Sequence, residues 1–268
     1  MGEGAKRNTR GISRPPSGSV TPATLPSPCR PAAARVPGRG GNTPDGAGVS
    51  PIDTEADLDR AIAALGERDP ALVARLIAVG GRPPLRRRAP GFEGLCALVV
   101  SQQVSTASAA AIFGRLRAAL APLDASALAA ADDGTLRAAG LSAGKVLTLR
   151  AAAAAVLDGR LHLDGLSALP AEAAAARLTA LRGVGPWTAQ LYLLSCLGHA
   201  DAWPPGDIAL EEAARLAMGL DARPDAAALA RIADRWRPYR AVAARLLWSY
   251  YRAVKARSGL GIGLGDER

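Results

Sequence analysis

Residues 178–207 read LTALRGVGPWTAQLYLLSCLGHADAWPPGD. Leu178 and Leu181 mark the buried side of a short helix, and Gly183-Val184-Gly185 allows a hairpin that needs positive φ and close backbone approach. Pro186 opens a second helix, where its missing N–H is no loss because first-turn amides have no intrahelical partner. Amides at such a turn and helix start point outward and can hold a phosphate oxygen. The stretch then crosses a proline-rich loop and ends on one acid, Asp207, placed to cap the following run IALEEAARLAMGL. These features make the stretch a candidate clamp for a DNA backbone, followed by a presented carboxylate.

Composition points the same way. Hydrophobic residues make up 49% of the 268-residue chain but aromatics only 4%, and alanine runs such as 151–155 favour helix over strand. An all-α protein is expected, with enough length to bury a core without disulfides. The net charge of +9 and pI near 10.3 suit a polyanionic partner, although Ala- and Arg-rich composition alone does not establish one. Cys29, Cys96 and Cys196 are too widely spaced for a disulfide framework or a four-cysteine metal site. No apolar run approaches the length of a membrane span, and no secretory leader pattern opens the chain. A cytoplasmic protein is therefore expected.

Residues 1–50 are rich in proline and glycine, basic, and without apolar periodicity, which predicts a disordered tail. Order is expected over 51–268. Thr54 and Asp57 form a capping pair ahead of Leu58, Ile62 and Leu65 at helical spacing, and a second helix is expected over 70–79. The connector GGRPPLRRRAPG brings Arg82, Arg86, Arg87 and Arg88, read chiefly as a solvated loop with phosphate contact as the alternative. Leu95, Cys96, Val99 and Val100 then describe one buried helix face, which ends in Ser101-Gln102-Gln103-Val104-Ser105. Two glutamines at the end of so apolar a helix either tie down loop backbone or meet a partner beyond the protein. Ser105 is expected to cap a helix over 106–120. Two or three short helices follow to about residue 160, broken at Gly140-Leu141-Ser142, and 161–170 reads as a connector. His162 and His199 lack metal-ligand company. Asp201 reads as a turn residue and Trp203 as packing for the loop before Asp207. The final segment opens at Pro238, read as a helix start, and concentrates Trp236, Tyr239, Trp248, Tyr250 and Tyr251, mostly as core with a base-stacking role open to one or two.

Together, FEGLCALVVSQQVSTASAA, LRGVGPWTAQLYLL, PPGD and WRPYRAVAARLLW resemble, in this order, the helix-hairpin-helix DNA glycosylases of the HhH-GPD superfamily, in particular the 3-methyladenine glycosylase II branch. The resemblance spans about residues 54–256. It implies two helical subdomains with the helix-hairpin-helix motif at the cleft, in the compact form that lacks an N-terminal β domain, with the hairpin over 178–197 and the catalytic loop over 198–207. Gly183, Val184, Gly185 and Thr188 would then grip the DNA backbone, directly or through a bound monovalent cation, with no other cofactor or metal. Asp207 matches the catalytic aspartate, and Gln103, with Gln102 beside it, falls where the family inserts a wedge into the base stack. Trp187 and Trp248 match aromatics of the base pocket, whereas Leu191 stands where a tyrosine can occur and leaves the substrate range open.

Relatives that also cut the sugar-phosphate backbone carry a lysine where this chain has Trp187, so the resemblance implies a monofunctional enzyme that uses water and leaves an abasic site. The implied partner is double-stranded DNA with damaged bases, met by a monomer associated with the nucleoid. Two alternatives stay open on the residues alone. One is a non-catalytic DNA-binding protein with the same hairpin; the other is a glycosylase for oxidised purine, uracil or hypoxanthine.

Overall fold

The computed structural model describes residues 50–258; apart from Ser50, the tail expected over 1–50 lies outside the described residues. Those residues form helices and loops with no strand among them. Local chemistry accounts for most helix starts. Helix α1 (Glu55–Arg68) opens on a full capping box, in which the Thr54 hydroxyl accepts from Asp57 N at 3.1 Å and the Asp57 carboxylate accepts from Thr54 N at 2.8 Å. Helix α2 (Pro70–Gly80) starts on a proline. Helix α3 (Gly91–Ser101) buries most of its length, and α4 (Thr106–Ala119) is capped by Ser105. Asp124, Asp132 and Ser142 cap α5 (Ala125–Ala130), α6 (Asp133–Ala138) and α7 (Ala143–Leu157). The hairpin pair is α8 (Ala171–Thr179) and α9 (Pro186–Ser195), followed by α10 (Ile208–Met218), α11 (Ala226–Ala233) and α12 (Arg240–Arg257).

These helices pack chiefly within two groups. One holds α1, α2, α10, α11 and α12; the other runs from α3 to α9, so the hairpin and Asp207 arise where the chain passes from one to the other. Gly80 makes the first group possible, because a Cβ there would lie 2.5 Å from the Tyr250 backbone nitrogen, and α2 could not cross α12 so closely. Arg245 of α12 then fastens the groups together. Its guanidinium is buried, donates to the carbonyls of Leu85 and Leu194, and is pushed down to about 10 by that burial. Beside it, Ala241 N donates to Ala200 O at 2.9 Å.

Several expectations shift by small amounts. The helix expected over 106–120 ends at Ala119, and the connector over 161–170 contains a 3-10 turn, Asp164–Ala168. Pro238 does not start a helix: α12 begins two residues later at Arg240, with Tyr239 as its N-cap. Helix α11, which the sequence reading did not single out, is capped by Asp225 and buries only Leu229 and Ala233. No helix among the described residues is long and apolar enough to cross a membrane.

Candidate active site at the hairpin

The turn between α8 and α9 rests on one residue with no alternative. Gly183 has φ +81°, and a Cβ there would lie 2.0 Å from Thr148 Oγ1. Leu178 and Leu181 are buried beneath it, as the spacing predicts, and so is Val184, which the resemblance placed among the residues gripping DNA. Gly185 differs: its φ is −83°, it is exposed, and a Cβ would meet nothing within 4 Å. It is the N-cap of α9 without a side-chain cap, so the outward face of the turn presents bare backbone at a positive helix end.

At the other end of the loop Asp207 caps α10, its Oδ1 accepting from Leu210 N at 3.0 Å. Two tryptophans converge on the same carboxylate. Trp187 of α9 donates Nε1–H to Oδ2 at 3.0 Å, and Trp248 of α12 donates Nε1–H to Oδ1 at 3.2 Å. All three residues are half-buried. Asp207 has no ion pair among the described residues, and the hydrogen-bond donors to its carboxylate are all neutral groups. Leu191 lies one helical turn beyond Trp187 on α9, half-buried and packed on the core.

The nearby acid Asp201 is the opposite case. Arg240 grips it with Nε at 2.9 Å and Nη2 at 2.8 Å, Arg237 adds a bond at 2.7 Å, and both arginines also reach Glu172. Against burial, which would raise it, the hydrogen bonds from Arg237 and Arg240 bring the Glu172 carboxyl down to about 2. Asp201 is more than a turn residue: it is the neutralised anchor that fixes the loop to the start of α12. The loop is pinned further by Gln190, whose Oε1 accepts from Trp203 N at 3.0 Å, and Trp203 is buried with its ring 5.8 Å from that of Trp236.

The two glutamines differ in what they touch. Gln102 turns its amide into the hairpin, donating to Gly183 O at 3.2 Å and Thr188 Oγ1 at 3.0 Å. Gln103 is exposed and holds φ +56°, an uncommon setting for a residue with a side chain. The loop that would carry a wedge is thereby tied to the turn that would carry the phosphate. Lys145 supports the same corner, donating to Val100 O at 2.6 Å, and burial lowers its pKa.

Of the connector arginines, Arg82 pairs with Glu55 and Asp59, and Arg87 pairs with Asp53 and donates to Ser195 O at 3.0 Å. Arg86 and Arg88 are exposed. His199 is a packing residue: its Nδ1 accepts from Asp201 N at 3.2 Å and its Nε2 lies 3.3 Å from Leu169 O, an arrangement of the neutral ring that matches the downward push of burial on its pKa. His162 lies exposed on the 161–170 segment. Arg240, Glu172, Gln190 and Thr148 were not foreseeable as site supports, because nothing local to their sequence positions marks them.

The chain as a whole has known relatives. The family model for the HhH-GPD superfamily base excision DNA repair protein matches residues 96–238. Over 213 residues the chain is 35% identical to a Mycobacterium tuberculosis protein named "Probable bifunctional transcriptional activator/DNA repair enzyme AlkA", a match covering 74% of this chain and 40% of that one. It therefore spans less than half the length of that relative. Among solved structures, Schizosaccharomyces pombe 3-methyladenine DNA glycosylase Mag1 in complex with abasic DNA is 26% identical with TM-score 0.61, covering 70% of this chain and 95% of that one. A Bacillus halodurans DNA-3-methyladenine glycosidase is 27% identical with TM-score 0.65, covering 78% and 94% respectively.

Proposed function

Since this chain belongs to the HhH-GPD superfamily of base excision DNA repair proteins, we propose that it is a monofunctional DNA glycosylase that releases alkylated purines of the 3-methyladenine type from duplex DNA. The observation that carries the reading is the company Asp207 keeps: neutral donors, no cation, and a place between the hairpin helix and α12.

The chemistry follows from that charge. The duplex must be kinked and the damaged nucleotide flipped out, at an expense of a few kcal/mol that is smaller for a poorly paired lesion. The outward amides of the 183–188 turn hold the backbone, and Gln103 fills the vacated stack. An N3- or N7-alkylated purine is already cationic and leaves without a dedicated acid, and the ring faces of Trp187 and Trp248 favour such a cation. As the glycosidic bond breaks, positive charge develops on the sugar, and Asp207 stabilises it and helps position water. At about 4 Å and an effective dielectric near 20 this attraction is worth about 4 kcal/mol, about a thousandfold in rate.

Hydrolysis of this kind needs no cofactor. Backbone carbonyls of the 181–184 turn are the oxygen donors a monovalent cation takes, so a cation bridging turn and phosphate is compatible with the clamp. Trp187 supplies no amine for a Schiff base, and the half-buried Lys145 is engaged at Val100 O, which supports hydrolysis without strand cutting. The protein would act as a monomer on the chromosome in the cytoplasm.

Base release from methylated duplex DNA tests the whole reading. Release by the wild type that disappears in Asp207→Asn is the expected result. Equal release by both proteins removes Asp207 from the chemistry, and no release from any duplex in a panel of lesions leaves a DNA-binding protein instead.

A further inference from the structure

The indole N–H groups of Trp187 and Trp248 do something that their ring faces do not. They come from α9 and α12, two helices of different groups, and end on different oxygens of one carboxylate. A carboxylate has about four lone-pair sites. Leu210 N and Trp248 Nε1 fill the two on Oδ1, and Trp187 Nε1 fills one of the two on Oδ2. We propose that Trp187 and Trp248 are positioning residues that lock the Asp207 carboxylate in one orientation, leaving the remaining acceptor site of Oδ2 as the one that meets the sugar or the attacking water.

The lock makes physical sense for an electrostatic mechanism. A side chain free to rotate would average its charge over several positions, whereas preorganised charge needs no rearrangement as the transition state forms. Neutral donors suit the task better than a cation would. An arginine in the same place, such as Arg240 on Asp201, would cancel the charge that is to be used. Because the donors are contributed by α9, α10 and α12, the carboxylate is aligned only when both helical groups are in register.

The kinetic part of this inference rests on the glycosylase reading; the hydrogen bonds do not. Two measurements therefore test it. The first replaces either tryptophan with 3-benzothienylalanine, which keeps the fused ring and exchanges N–H for sulfur, alongside Trp187→Phe and Trp248→Phe. Each replacement is expected to slow single-turnover excision at saturating enzyme about tenfold or more, the usual scale for one hydrogen bond to a charged group, while DNA affinity stays unchanged. Wild-type rates in the benzothienyl proteins would overturn the lock, since the ring face alone would then suffice.

The second needs no activity. In protein with 15N-labelled tryptophan, Asp207→Asn is expected to move the indole resonances of Trp187 and Trp248 upfield and leave those of Trp203 and Trp236 in place. Asparagine still caps α10, so folding is preserved. Four stationary resonances would overturn the proposal even if the kinetics had agreed. Conversely, shifted resonances in a protein that releases no base would fault the glycosylase reading and leave the lock standing.

Discussion

Gly183 lies so close to Thr148 that no side chain fits between them: a Cβ at 183 would sit 2.0 Å from the Thr148 hydroxyl, which is itself held by Gly144 O at 3.1 Å. The hairpin is thus seated on α7 as well as on its own two helices. Gly183→Ala combines a backbone at φ +81° with this clash, and is expected to destabilise by about 1–3 kcal/mol from backbone strain and a similar amount from overpacking. Gly185→Ala meets nothing in the free protein. It should cost only the loss of a glycine N-cap, about 0.5–1 kcal/mol, and under the proposed clamp weaken DNA binding, because the new methyl would stand where the phosphate is expected; unaltered affinity would show that DNA does not come that close.

Asp201 and Asp207 should exchange phenotypes. Asp201→Asn strips two arginines of a partner in a network whose Arg240 is almost fully buried, and should destabilise by about 3–5 kcal/mol while folded molecules still excise. Asp207→Asn keeps a good cap and should change stability little while excision falls about a thousandfold. Denaturant curves and single-turnover rates on the same two proteins decide it.

The glutamine pair makes a similar contrast on a smaller scale. Gln102→Ala removes two hydrogen bonds to the hairpin and should lower stability by about 0.5–1.5 kcal/mol for each. Gln103→Ala removes an exposed side chain and should leave stability nearly unchanged while reducing base flipping, read as fluorescence of a 2-aminopurine placed beside the lesion. A fluorescence response carried by Gln102 alone would exchange the two assignments.

Acid should unfold this protein from two groups in succession. The folded state holds His199 neutral through burial, and its arginine partners keep the Glu172 carboxyl charged down to about 2. At both positions the folded chain binds fewer protons than the unfolded one, so stability falls as pH falls. The His199 contribution is lost below its ordinary value of 6.5, and the Glu172 contribution between 4.5 and about 2. Urea midpoints measured from pH 7.5 to 3 should decline throughout, and Glu172→Gln should flatten the lower part of that decline.

Strand cutting gives the last test. With Trp187 at the start of α9 and Lys145 bonded to Val100 O, borohydride should trap no protein–DNA adduct, and nicks should appear only after alkali or heat. A trapped adduct would reveal an amine in the cleft and reverse the monofunctional assignment.

What could be read in the sequence was what neighbouring residues encode. Thr54 with Asp57, Ser105 and Asp207 announced their caps because capping acts over three or four residues. The hairpin was legible because its glycine, its buried leucines and its proline lie within a few positions of one another. The turning of Gln102 into the hairpin was not legible, since its acceptors lie 81 and 86 residues away. Separations of 20 to 68 residues likewise hid the Arg240 network and the indole bonds, which depend on how the helices are seated and on single rotamers. Pro238 misled because proline suits a helix start, yet the chain needs two further residues before α12 begins.

The seating of α12 by Gly80 and Arg245 also has a bearing on when a newly made molecule can begin to work. During synthesis Asp207 leaves the ribosome before Arg240, Arg245 and Trp248, so neither its second indole donor nor the anchors of its loop and of α9 are in place until α12 has emerged.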